Sequence, residues 1–253
     1  MAGAKVNRVF KVSVIADDLT LYDRMKGGIF GSEFDTSYIQ TQGANFGYTK
    51  VSVPESSEGY LLAQLWMLHP EKQWASVRQI YYTGSSGLML IVNIEKEYNH
   101  TLYRKLIREF LIVNKGHIVP MMVVGMGERS QENDDRVMLL VKDLERWSGK
   151  DVPFVNCEDQ NKLDVLKEYI LNIRNTRTKA KVLATLNMYF TLDSVSRDHR
   201  PITQIVTHLR SLNIAGFFSL IPDDEMMVFI REVAAEMYFK YDGDYIIYKR
   251  PIT

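Results

Sequence analysis

Two uninterrupted apolar runs constrain this chain most. Gly87–Ile94 reads Gly-Leu-Met-Leu-Ile-Val-Asn-Ile, and Ile118–Val124 reads Ile-Val-Pro-Met-Met-Val-Val. A strand covered on one face alternates polar and apolar residues; a strand buried on both faces of a parallel sheet does not. Parallel neighbours need long crossovers, usually helical. The segments around the two runs supply them. Leu102, Leu106, Phe110 and Leu111 predict a helix over 98–113, and Glu132–Trp147 and Leu163–Ile173 read as amphipathic helices. Val152–Val155 lies between those two as a short strand.

The N-terminal part completes the sheet. Val9–Ile15 alternates and is rich in β-branched residues, a strand pattern. Asp17–Gly28 is polar and then glycine-containing, a loop running into a short helix. Gly47–Val53 and Tyr60–Trp66 flank the turn-rich Pro54-Glu-Ser-Ser-Glu-Gly59 and read as a hairpin, which contributes one antiparallel strand. Alternating strands and helices predict an α/β domain with a mostly parallel sheet. It closes near Arg174, so domains are expected over residues 1–175 and 176–253.

Beyond that point the pattern becomes mainly helical, over Lys179–Phe190, Ile202–Leu212 and Asp224–Phe239, with one short strand at Tyr245–Tyr248. Pro201 stands at a helix start. This order admits a winged-helix-like module. Its lysines and arginines are roughly balanced by acids, and its third helix opens Asp223-Asp224-Glu225. A DNA reader needs a basic face, so protein contact is the expectation and DNA binding the alternative.

Lysine plus arginine equals aspartate plus glutamate at 31 each, and the formal net charge is zero. Such a chain has no global attraction to nucleic acid or an anionic membrane. The single cysteine, Cys157, excludes an internal disulfide. No run approaches the ~18 apolar residues of a membrane span, Met1–Arg8 has no apolar signal core, and Lys249–Thr253 offers no cysteine for a prenyl group. The expectation is a cytoplasmic protein without a direct membrane anchor. His69, His100, His117, His199 and His208 show no metal-ligand spacing with the cysteine, and no metal or other cofactor is expected.

The order of elements resembles the Ras-like small GTPases, and particular residues carry the resemblance. Trp66 is followed fifteen residues later by Tyr81-Tyr82-Thr83-Gly84-Ser85-Ser86-Gly87, Thr41–Gly47 is similar to a switch I segment entering the second strand, and Ile118–Gly125 is similar to a fifth strand with its closing glycine. These features resemble the Rab branch, over residues 8 to 175. The resemblance implies a Ras-like α/β fold, with helices on both sheet faces and one antiparallel strand.

It also implies a guanine-nucleotide site, and the residues at its positions have changed. A phosphate loop needs glycines for close amide approach, a lysine for the phosphates and a hydroxyl for magnesium. Here Ala16 and Leu21 stand for glycines, Tyr22 for the lysine and Asp23 for the hydroxyl residue. Asp17, Asp18 and Asp23 oppose a polyphosphate, at about 1 kcal/mol per close pair in water and about 4 near a protein surface. The magnesium aspartate and its glycine are Met67 and Pro70, and Glu71 replaces the water-orienting glutamine. Thr41 alone matches its family counterpart. Arg129 stands where an aspartate accepts the guanine ring N–H groups, and Cys157-Glu158-Asp159 replaces the last base-contacting loop. Together these predict a pseudo-GTPase, with an enzyme using an altered nucleotide pocket as an alternative. The family meets partners through three aromatics, at positions held here by Phe46, Trp66 and Tyr81, with Trp74 nearby; these are the expected partner-binding residues.

Overall fold

The computed structural model describes residues 5–28, 43–52, 59–114, 119–160, 162–192, 199–211, 221–236, 239–242 and 245–248. Thr41 and most of the 54–59 turn lie outside the described residues. The chain divides into two compact units, Met1–Arg174 and Asn175–Thr253.

In the first unit six strands form one sheet in the order β2-β3-β1-β4-β5-β6. They are β1 (Lys5–Ala16), β2 (Ala44–Ser52), β3 (Gly59–Leu68), β4 (Gly87–Asn93), β5 (Met121–Met126) and β6 (Phe154–Asn156). Only the β2–β3 pair is antiparallel. The helices are α1 (Thr20–Gly28), α2 (Ala75–Tyr82), α3 (His100–Val113), α4 (Gln131–Ser148) and α5 (Lys162–Leu192). This is the mostly parallel α/β architecture expected above. The second apolar run begins its strand three residues later than read, because the chain enters through Pro120, which cannot donate to a ladder.

Side-chain alternation sorts the core into two layers. Phe10, Val12 and Val14 of β1 face Leu21 and Met25 of α1 and Leu166, Ile170 and Ile173 of α5. Ile15, Leu88, Leu90 and Val92 face Leu106 and Phe110 of α3 and Leu140 and Leu144 of α4. α5 lies so close to β4 that a Cβ on Gly87 would sit 2.5 Å from Ile173 Cδ1. Glycine is therefore required there for packing. Asn99 caps α3 by accepting the Leu102 N–H at 3.0 Å, and Ser130 caps α4 by accepting that of Asn133 at 3.2 Å.

The sequence reading is corrected at the C-terminal side. Leu163–Ile173 and Lys179–Phe190 are parts of one 31-residue helix, α5. The intervening Arg174–Thr178 contains neither glycine nor proline to stop it. Among its described residues the second unit has three strands where one was read: β7 (His199–Pro201), β8 (Phe239–Asp242) and β9 (Tyr245–Tyr248), in the antiparallel order β7-β9-β8. Helix α7 (Asp223–Glu236) ends before Phe239, which begins β8. Val182 and Leu186 pack with Ile205 and Leu209 of α6 (Ile202–Ser211) and with Met226 and Ile230 of α7.

Candidate functional site

The first loop joins β1 to α1 through Asp17, Asp18 and Leu19, and the amides of Asp17 and of the first turn of α1 are engaged within the protein. Asp18 Oδ1 accepts the Thr20 N–H at 2.9 Å, Asp18 O accepts that of Leu21 at 3.2 Å, and Leu19 O accepts that of Tyr22 at 3.1 Å. The Asp17 N–H donates to the Tyr103 hydroxyl at 3.2 Å. Asp17 Oδ2 accepts the Asn99 N–H at 3.1 Å, so the loop is tied to the start of α3.

Tyr22 fills the place between the strand ends. It is 1% exposed. Its hydroxyl accepts the Ala16 N–H at 3.1 Å and donates to Leu68 O at 2.7 Å, with Val14 O at 3.3 Å. Burial pushes the phenol far above its ordinary pKa, so it stays a neutral donor. Ala16 and Leu21 are buried in the same layer, and Asp23 is exposed.

Met67 is fully buried in β3, paired with Val14 of β1 and packed in the α1/α5-side core. Pro70 is buried after the strand, and Glu71 is exposed with Oε2 3.5 Å from His69 Nδ1. A groove of about 590 Å³ opens here, lined by Asp17, Asp18, Leu19, Pro70, Glu71, Lys72, Leu102 and Lys105. The segment after β3 is held from below. Arg78 of α2, 1% exposed, donates through Nη1 to His69 O and Glu71 O, both at 2.7 Å, and through Nε and Nη2 to Glu109 of α3.

At the far end of the sheet, Arg129 bridges two loops. Its Nε and Nη2 donate to Asp134 and its Nη1 donates to Asp159 at 2.9 Å. These carboxylates raise its pKa further. Asn156 Nδ2 donates to Gly127 O at 3.0 Å, joining the same loops. Cys157 is buried, and desolvation raises its thiol pKa. Glu158 is exposed. Among the described residues, no group of three His, Cys, Asp or Glu is placed to hold a metal ion, and no helix is long and apolar enough to cross a membrane.

Three of the four aromatics come together. Phe46 and Trp66 meet edge to face with centroids 4.4 Å apart, Tyr81 lies 5.2 Å from Trp66 and 6.1 Å from Phe46, and all three are partly buried. Lys11 Nζ sits 4.0 Å above the Trp66 ring. Trp74 does not join them. It lies in a short 3-10 turn over Lys72–Trp74, 6.0 Å from the His69 ring, against Gly43, whose φ of 83° suits glycine.

The Ras family model matches residues 29–178, more than half of the chain. The chain belongs to the Ras family. The matched segment begins after the first loop, so Ala16–Asp23 lies outside it. A search of curated proteins found no match.

The structure places Ala16, Leu21, Tyr22, Met67 and Pro70 around the ends of β1 and β3, and pairs Arg129 with Asp159 between the loops after β5 and β6. Sequence reasoning missed Arg78, Tyr103 and Lys11. Arg78 and Glu109 are 31 residues apart with no local pattern to join them. Tyr103 had a weak signal, since it occupies the buried stripe of α3 yet carries a hydroxyl that needs a partner.

Proposed function

We propose that this Ras-family member is a non-catalytic, Rab-like pseudo-GTPase that acts as a cytoplasmic protein-interaction or scaffold subunit. The observation that carries this reading is Tyr22. Where a nucleotide-binding relative needs a flexible lysine, a buried neutral phenol closes the backbone groups of two strand ends. The amides of Asp17, Thr20, Leu21 and Tyr22 at this turn donate to Tyr103, Asp18 and Leu19. Met67 offers no oxygen to magnesium, and Arg129 presents donors where guanine needs acceptors. The residues at these positions do not fit a magnesium–guanine nucleotide.

Arg78 adds support, because its own guanidinium holds the segment after β3 through the His69 and Glu71 carbonyls. A surface fixed in this way suits constitutive binding. We assign partner contact to Phe46, Trp66 and Tyr81, since clustered aromatics are common interaction anchors. Family analogy offers trafficking or cytoskeletal assembly as the setting.

The second unit supports a winged-helix reading, because its order is helix, β7, α6, α7 and then the β8–β9 hairpin, with β7 paired to β9. We assign it to protein contact. Salt-sensitive binding of the full chain to duplex DNA, lost on charge reversal in residues 199–211, would instead favour a DNA-binding regulator.

The test is direct. Protein purified without added nucleotide should release no stoichiometric guanine nucleotide on denaturation, and titration with magnesium–GTP should show no micromolar binding. Either signal overturns the reading. Folded Trp66→Ala and Tyr81→Ala variants should lose partners captured by the wild type; retention of every partner removes the aromatic surface.

A further inference from the structure

The sheet face beside the aromatic cluster carries an unusual cation. Lys11 is partly buried on β1, with Nζ donating to Thr83 O at 3.0 Å and lying 4.0 Å above the Trp66 ring. An ammonium has three donors. Among the described residues, no carboxylate lies within ion-pair distance of it. Partial desolvation without a counter-charge is unfavourable to the charged form; the Lys11 pKa is correspondingly lowered to about 8.

The face extends past the three aromatics with both apolar and polar side chains, among them the exposed Lys50 of β2, opposite Leu62. Val9, two residues earlier on the same face of β1, is 52% exposed. Across β3 and β2 the face continues through Gln64, whose Nε2 donates to the Tyr48 hydroxyl at 3.0 Å. The result is an open sheet surface with a desolvated cation at its centre.

We propose that this face, from Val9 and Lys11 across Trp66 to Tyr81, docks a protein segment that places an Asp or Glu carboxylate on Lys11 between apolar side chains. The inference rests on the partner-surface reading given above and adds the chemistry of the partner. The ring beneath Lys11 and the Thr83 carbonyl fix the ammonium, which cuts the ordering cost of receiving a carboxylate. A basic partner segment would meet like charge at the same point.

A phage-displayed library of random linear peptides, selected on the full-length chain, tests this. Selected sequences should share an acidic residue flanked by apolar ones. Lys11→Glu should weaken their binding on the order of tenfold or more, as loss of a charge-assisted hydrogen bond requires. Exchanging the peptide's acid for lysine should restore binding to that variant. Thermal melts of Lys11→Glu and Lys11→Met establish that both fold. If Trp66→Ala abolishes binding while Lys11→Glu leaves it unchanged, the acidic-partner inference is overturned and the aromatic surface stands. If neither substitution changes binding, both fall.

Discussion

The Arg78 guanidinium grips Glu109 through two donors, with Nε and Nη2 3.1 and 3.0 Å from one carboxylate oxygen. Its third nitrogen holds two backbone carbonyls of the segment after β3. Removing one partner of a buried pair leaves the other charge uncompensated, at about 3–5 kcal/mol. Arg78→Met should therefore lower unfolding free energy by about that amount in urea titrations, and Arg78→Lys, lacking the planar fork, should recover only part of it. Hydrogen exchange should quicken in residues 69–74 of both variants.

Tyr22→Phe keeps the ring and deletes the hydroxyl. The Ala16 N–H and Leu68 O then lose a buried partner, which costs about 1–3 kcal/mol. Tyr22→Lys, the residue that the resemblance implies at this position, places an ammonium in an apolar layer. It should destabilise more than Tyr22→Phe without creating magnesium–GTP affinity. Denaturation midpoints and calorimetric titration check the two halves separately.

Lys11 makes a prediction about pH. Its folded pKa is lowered to about 8 from the ordinary 10.5. Between those values the unfolded chain binds more protons at this site than the folded chain, so stability rises with pH there. The stability of wild type relative to Lys11→Met should climb from about pH 8 to about pH 10 and level below pH 8. The difference cancels the tyrosines, which act oppositely at high pH because burial raises their pKa. A flat difference across this window contradicts the burial of Lys11.

Arg129 joins Asp134 and Asp159 while half exposed, so its pairs are screened. Arg129→Asp, the residue that the resemblance implies here, sets three carboxylates together. A loss of about 1 kcal/mol is expected at low salt, shrinking in molar salt. Melting curves at two salt concentrations measure it.

The sheet was legible because its strands obey simple patterns. The run at 87–94 announced a strand covered on both sides, and the turn residues at 54–59 announced the hairpin. At the candidate site the sequence offers residue types, such as Tyr22 where the resemblance implies a lysine, but not what their side chains do. Nothing local in the sequence tells that the Tyr22 hydroxyl reaches Leu68, 46 residues away. Likewise α5 reads as two helices because residues 174–178 carry no apolar side chain, although no stop signal interrupts the backbone and Thr178 continues the buried stripe. Strands of three or four residues, such as β7 and β8, carry too few side chains to reveal a period.

A protein whose strand ends are joined by a dissociable ligand gains stability as RT ln(1 + [L]/Kd) and weakens when that ligand is scarce. The Tyr22 hydroxyl is attached to the chain, so the bonds it makes to Ala16 and Leu68 follow no such law. Dilution, dialysis or depletion of a small molecule leaves them in place. Their contribution to the integrity of this part of the sheet is constant across any metabolic state of the cell.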